Sequence, residues 1–479
     1  KLSARVFNME VESEAIELGE PAKVKAGKGG GYAEMELEAK DPSSVSGLEP
    51  GGETPTRARD GEVAEHEHAV APGRTHWAYT GLMTVGMIMG TGVLALPAAV
   101  AGLGYALGIF LCLFFGLLAG YLGQILGECR LRFHPSATSY AELATRTIGR
   151  RFGEFTKHMM YVNWWSVLPL YMLTAIESFR AAFYWTNICY HEWGLIVMAI
   201  LVFPTQKRSY HDISRVVALS DAAVIVVIVC ILIVLGNEGQ NTPEGFTHHR
   251  APPPGSFLSR YNNVSAFLFA YQGQSVFLEM MSEMREQKNW PKALWLGQSL
   301  MIPTYTVTAS IGYYLLGDTV PGFLPAALPD NGAKTFINLL LAFHVVVAYL
   351  IHNHPLNVGI ERIVFSGAQA TPTQHLIVSL SVLASAYLVA NLIPFFSELV
   401  GILGAAFGSP IMLFYPPVFY IMGMRSRDVP MSLFSKTICG FSLFVLFPFT
   451  FVCGLIAAFK ALAERWADHS PFDCNLGTT

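Results

Sequence analysis

Two short stretches set glycine among polar residues inside otherwise apolar runs. The first reads Gly90-Thr91-Gly92-Val93-Leu94-Ala95-Leu96-Pro97, the second Phe269-Ala270-Tyr271-Gln272-Gly273-Gln274-Ser275. Two glycines and a proline so close together interrupt a helix, because glycine loses the most chain freedom on ordering and proline removes a backbone donor. Unwinding at Gly90–Gly92 exposes the N-terminus of the following half-helix, whose free N–H groups and positive dipole end suit a carboxylate. Carbonyls freed near Tyr271–Gly273 suit an ammonium group, so one zwitterion would satisfy both breaks. The competing account is packing: Gly86 and Gly90 have the small-xxx-small spacing of helix contacts in membranes. Two interrupted segments at matching positions in the chain favour a solute site over packing alone.

Intramembrane acids and histidines are costly and are functional candidates by default. Three are nominated for proton coupling. Glu279 lies six residues after Gly273, with Glu283 one helical turn further on the same face. Its structural alternative is an ion pair with a cytoplasmic arginine. Glu177 shares a helix face with Thr174 and has Arg180 at i+3, so a salt-bridged structural acid is the competing reading. His344 sits among apolar residues, where a neutral packing histidine competes with a proton carrier. Asp221 and Glu398 are further intramembrane acids without an assigned partner.

These residues need apolar elements to position them, and the composition supplies them. Hydrophobic residues make up 52% of the 479 and charged ones only 14%, against about 25% in soluble domains. That deficit points to a lipid bilayer as the main solvent. Eleven runs reach or approach the roughly 20 apolar residues of a membrane helix: 77–103, 106–127, 155–184, 193–204, 215–236, 262–282, 293–316, 334–353, 375–393, 396–422 and 432–461. The fourth is short, and loop charge decides for it. Counting from residue 57, with all eleven accepted, nineteen Lys/Arg fall on one side and six on the other; without the fourth, the split is fourteen to eleven. Cytoplasmic loops are the basic ones, so the eleven-span arrangement has its N-terminus in the cytoplasm and its C-terminus outside. The glycine breaks then fall in spans 1 and 6, each opening a group of five.

The domain reading is an acidic cytoplasmic tail over 1–76, a transport core of spans 1–10 over 77–423, and span 11 with a short outer C-terminus over 424–479. The tail holds 9 Lys/Arg and 15 Asp/Glu and too little apolar surface to order itself. No signal peptide is visible.

The motifs also resemble the amino acid/auxin permease family, particularly its plant-type lysine/histidine and general amino acid permeases. GTGVLALPAAVAGLGY (90–105) is similar to the family's first-helix signature and SYAELATRTIGRRFG (139–153) to its second-loop pattern. YMLTAIES (171–178), FAYQGQSVFLEM (269–280) and IPFFSELVGILGA (393–405) resemble its third, sixth and tenth helices. The resemblance covers about 77–461. It implies an all-α membrane fold of eleven transmembrane helices: two inverted five-helix repeats with helices 1 and 6 broken, plus an eleventh. It further implies secondary transport of amino acids, usually coupled to protons, with Gly90, Thr91 and Gly92 at the substrate carboxylate and Tyr271 and Gly273 on the amino side. Gln274 and Thr174 complete the expected binding set. Many plant-type members carry His where this chain has Gln274 and Lys where it has Glu177, and Glu177 would favour a cationic substrate. Glu279 fills the acidic position of the sixth-helix signature. Sodium is the less favoured ion, because residues 336–352 of span 8 contain no Ser or Thr to supply hydroxyl ligands.

Two readings from other classes are a membrane amino acid sensor reporting through the acidic tail and a transport-silent subunit of a larger complex. No nucleophile elbow, zinc-protease helix motif or phosphate-cradling loop is present, so no enzyme and no cofactor is expected. The net charge of −4 argues against a nucleic-acid partner. His352 and His354 are spaced i+2, which does not put them on one helix face for a metal. Seven cysteines show no zinc-like spacing; Cys189 and Cys474 would both lie outside, where they could pair. The sequon at Asn263 falls at the mouth of span 6, too near the bilayer for glycosylation. The expected location is a plasma membrane or endomembrane.

Overall fold

The computed structural model describes residues 73, 75–207, 214–238, 247–253, 257–365, 370–468, 472 and 474; the acidic tail expected over 1–76 lies almost wholly outside them. Among the described residues every regular element is helical, apart from one isolated bridge between Thr75 and Met284. A bilayer offers no water to backbone groups, and helices satisfy them internally.

In chain order the helices are α1 (Trp77–Ile88), α2 (Leu96–Leu103), α3 (Tyr105–Phe133), α4 (Tyr140–Thr147), α5 (Arg150–Ala182), α6 (Tyr190–Thr205), α7 (Ser214–Glu238) and α8 (Phe257–Tyr271). There follow α9 (Phe277–Ser282), α10 (Trp290–Leu316), α11 (Gly332–Val364), α12 (Pro372–Leu392), α13 (Phe396–Leu403), α14 (Tyr415–Ser426), α15 (Leu433–Phe441) and α16 (Gly454–Asp468). Helix occupies each of the eleven expected ranges. Among the described residues six stretches are long and apolar enough to cross a membrane alone: Tyr105–Phe133, Leu219–Asn237, Gly332–Val364, Pro372–Leu392, Phe396–Ser426 and Leu433–Ala467. A seventh is the bent pair Trp77–Ile88 and Thr91–Leu103. The others fall short for physical reasons: α6 is short, α8 and α9 are separated by a break, and α5 and α10 set polar residues such as Asn163, Ser166, Gln298 and Thr304 among their apolar ones.

The first break matches its sequence. The Met89 N–H closes α1 on the Val85 carbonyl, and Gly90 (φ −115°, ψ −138°) turns the chain out of helical geometry. A 3₁₀ turn over Thr91–Ala95 leads into α2, whose axis is bent 51° from that of α1. Pro97 occupies the first turn of α2, where its missing N–H costs nothing. In the second break α8 stops at Tyr271, Gly273 (φ −158°, ψ −2°) leaves helical geometry, and a 3₁₀ turn over Gln274–Val276 leads into α9.

Elsewhere the bundle is tied by specific polar contacts. The Thr75 N–H donates to Glu283 O at 3.0 Å and the Arg285 N–H to Thr75 O at 2.9 Å, which joins the start of α1 to the end of α9. Arg130 on α3 is fully buried; its Nε donates to Ala137 O and its guanidinium to Gln287 Oε1 at 3.0 Å. Cys189 and Cys474 form a disulfide across 285 residues, and Arg465 on α16 pairs with Glu398 on α13 at 3.4 Å. The outward faces of α3, α6 and α15 expose Phe110, Leu117, Phe203, Leu433 and Phe434, as lipid-facing helices do.

Candidate functional site

Both breaks open on one cavity of about 70 Å³. The α1 break contributes Met87, Ile88, Gly90, Thr91 and Gly92, and the α8–α9 break Phe269, Gln272, Gly273, Ser275 and Val276. The far wall is Asn163, Trp164, Val167 and Tyr171 from α5, with His352 from α11.

The breaks also hold each other in place. A β-carbon on Gly92 would lie 2.9 Å from Ala270 Cα and 3.2 Å from Phe269 Cδ1, so the two backbones touch there. A β-carbon on Gly273 would run into the end of the Ile88 side chain. Each broken helix thus docks its glycine on the other. Tyr305, fully buried on α10, spans both: its hydroxyl donates toward Ala270 O at 3.2 Å and Ile88 O at 3.4 Å. Those carbonyls lie where α8 and α1 end, and Ile88 O also accepts the Gly90 N–H at 2.8 Å, so one phenol touches the C-terminal ends of both first half-helices.

The chemistry available at the cavity is that of uncapped helix ends and buried polar atoms. No side chain caps the turn that begins at Gly90 or the one that begins at Gly273, which leaves N–H groups for an anion. Thr91 Oγ1, Asn163 Oδ1 and Gln272 Oε1 are buried without a hydrogen-bond partner. His352 Nδ1 lies 2.9 Å from Ala348 O. A carbonyl only accepts, so Nδ1 carries a proton, and in the neutral ring Nε2 is an acceptor. Tyr171 packs on that ring with centroids 5.2 Å apart. Among the described residues no Asp, Glu, Lys or Arg lines the cavity.

Of the residues expected at the site, Gly90, Thr91, Gly92 and Gly273 line the cavity, and Tyr271, Gln274 and Thr174 do not. Tyr271 is fully buried, with its hydroxyl 3.6 Å from Cys112 Sγ and its ring against Tyr305. Gln274 accepts from the Gly273 N–H at 3.1 Å and braces the break from within. Thr174 donates to Leu170 O in its own helix.

The titratable candidates His344, Glu279 and Glu177 stand on three different helices, α11, α9 and α5. His344 lies directly behind the first break: a β-carbon on Gly90 would be 3.9 Å from its Nε2. Its Nδ1 donates to Ser220 O at 3.0 Å, and its buried Nε2 has no partner. Glu279 is in the electrostatic field of Arg130, and Glu177 in that of Arg180; neither borders the cavity. The grouping with metal-ligand spacing among the described residues, Cys189, His191 and Cys474, has both sulfurs committed to the disulfide.

Sequence reading missed the α5 wall and His352. Asn163, Val167 and Tyr171 are spaced i, i+4, i+8, a single helix stripe, and an intramembrane asparagine is a signal by itself. His352 was weighed only as half of a metal pair with His354.

Residues 73–460 match the model of the family described as "Transmembrane amino acid transporter protein". Amino acid transporter AVT1B of Arabidopsis thaliana is 21% identical, the match covering 86% of this chain and 75% of that protein. The N amino acid transport system protein of Neurospora crassa is 25% identical, over 74% of this chain and 77% of its own length. The fold is similar to that of MhsT, solved with L-phenylalanine, at a TM-score of 0.54 and 13% identity, covering 81% of this chain and all of that one.

Proposed function

Since the chain belongs to the transmembrane amino acid transporter family, a family of transporters and not of enzymes, we propose that it is a secondary active transporter that carries amino acids by proton-coupled symport through the cavity between its two breaks. The observation that carries this reading is the convergence of two interrupted helices on one polar cavity. The amino acid's carboxylate meets the uncapped N–H groups that follow Gly90, with the Thr91 hydroxyl beside them. Its ammonium meets carbonyls at the C-terminal ends of α1 and α8 that Tyr305 does not hold. The bundle crosses the membrane eleven times, in two inverted groups of five with one helix added, with the N-terminus cytoplasmic. The disulfide supports an outer location for the C-terminus, because such bonds persist in oxidising compartments.

Proton coupling rests on His344, Glu279 and Glu177, of which His344 is nearest the break. A shared Tyr305 hydroxyl gives the two first half-helices a common pivot for alternating access. Uptake of a labelled amino acid panel into liposomes, with and without an inward proton gradient, tests the whole reading. Gradient-stimulated accumulation is expected; binding without uptake would replace it with a sensor. Thr91→Val should weaken uptake with expression intact. Unchanged proton-driven uptake in both Glu279→Gln and His344→Gln would remove those two as coupling groups.

A further inference from the structure

The cavity itself narrows the substrate. We propose that it selects small neutral amino acids whose side chains hydrogen-bond, of serine's size and chemistry, and that Asn163, Gln272 and His352 read that side chain. This deepens the transport reading above and rests on it.

Size comes first. A water molecule needs about 10–15 Å³ of such space, so the cavity of about 70 Å³ has room for about five to seven water-sized groups. Trp164, Tyr171 and Phe269 wall it, and Gly92 and Gly273 are already in contact with the opposite broken helix. Serine or alanine fits within that room; the side chains of phenylalanine, lysine and arginine exceed it and would have to extend through its open side.

Charge excludes the cationic side chains a second time. No acid lines the space, and a charge taken from water without a partner is the most costly group to bury. The basic side chain on the wall is His352. A neutral His352 offers no counter-charge, and a protonated one repels. Glu177, whose presence in the sequence favoured a cationic substrate, is not on the wall.

Polarity then separates the small candidates from one another. Thr91 is 2% exposed and Asn163 5% exposed, and Thr91 Oγ1, Asn163 Oδ1 and Gln272 Oε1 all lack partners. Native proteins rarely leave buried polar atoms unpaired without a use for them. Thr91 sits at the start of the second half-helix, at the α-carboxylate end. Asn163 and Gln272, on α5 and the α8–α9 break, are left to the side chain together with the His352 ring. A hydroxyl donates to one of these acceptors and an amide to two; a methyl donates to none. A site built to pair a substrate hydroxyl discriminates far more strongly against its absence than an apolar pocket does against an extra methyl.

The test is competition against labelled serine in proteoliposomes of the wild-type chain, using serine, asparagine, alanine, phenylalanine and lysine. Serine should compete best, asparagine next, alanine about tenfold more weakly than serine, and lysine and phenylalanine least. Asn163→Leu and Gln272→Leu should shrink the serine-over-alanine ratio toward one, whatever their absolute rates. Lysine or phenylalanine as the strongest competitor, or an unchanged ratio in both variants, overturns the substrate assignment and leaves the transport reading standing. If no amino acid is bound or carried, the transport reading fails and this inference with it.

Discussion

The most direct probe of the site is one methyl group added at each of three glycines. At Gly92 the new β-carbon lies 2.9 Å from Ala270 Cα, where carbon atoms at rest sit about 3.5–4.0 Å apart. The two broken helices must therefore separate by roughly 0.6–1.1 Å, and because the obstacle is backbone, no rotamer change relieves it. Overpacking of this kind costs about 1–3 kcal/mol, which corresponds to about 5–150-fold in any step that needs the helices docked. At Gly273 the new atom meets the tip of Ile88, a side chain that can turn away, so the cost is smaller. At Gly440 nothing lies within 4 Å, and glycine to alanine in a helix gains up to about 1 kcal/mol. The expected order of damage is Gly92→Ala, then Gly273→Ala, then Gly440→Ala with none. Initial uptake rate and thermal stability of the purified proteins read it out. Gly92→Ala matching Gly440→Ala in both would refute the claim that the breaks touch, and with it the shared cavity.

Other predictions follow from contacts away from the cavity. Tyr305→Phe strips the hydroxyl shared by Ile88 O and Ala270 O; it should cost about 1–3 kcal/mol, visible as a lowered melting temperature and slower uptake, while Tyr314→Phe at an exposed position should change neither. Arg130→Met leaves the Ala137 carbonyl without its donor and Glu279 without that buried charge. A loss of about 3–5 kcal/mol is expected, and adding Glu279→Gln should recover part of it in a thermal-shift assay; no recovery would break the link between the two. A protease site engineered into the stretch between α6 and α7 should yield two fragments that stay together on a non-reducing gel and separate on reduction, because Cys189 and Cys474 lie on opposite sides of that cut. Cys474→Ser should abolish the linkage and cost about 2–4 kcal/mol.

The parts legible in the sequence are those that obey a local rule. Glycine and proline punctuate a helix wherever they stand, so the break at Gly90 could be placed within a residue. Apolar length and loop charge located helix in every expected range. The far wall was harder, because Asn163, Tyr171 and His352 sit on α5 and α11, and nothing local says which face of a buried helix meets a break on another. Thr174 and Glu177 drew attention as the polar residues near the end of α5, yet the stripe that faces the cavity passes through Asn163 and Val167, two to three turns earlier. Tyr305 left no mark at all. A tyrosine in an apolar run reads as an aromatic anchor, and only the crossing of α10 behind both breaks gives its hydroxyl two carbonyls to serve.

The same crossing removes an opposition that sequence alone had to leave standing, between glycines that pack helices and glycines that make a binding site. Irregular backbone at membrane depth persists only where protein or a polar cavity covers it. Gly92 and Gly273 secure the first condition by docking each broken helix on the other, and that docking encloses the second. Packing and binding are therefore one requirement at these positions. A substitution that separated them, restoring helix contact with the uncapped N–H groups covered by a side chain, should leave a folded protein that no longer carries its solute. Gly90 is the place to look, since a β-carbon there finds only His344 within 4 Å. Gly90→Ala should keep the wild-type melting temperature and lose uptake, and a variant that transports normally would show that the cavity beside Gly90 is not where the carboxylate sits.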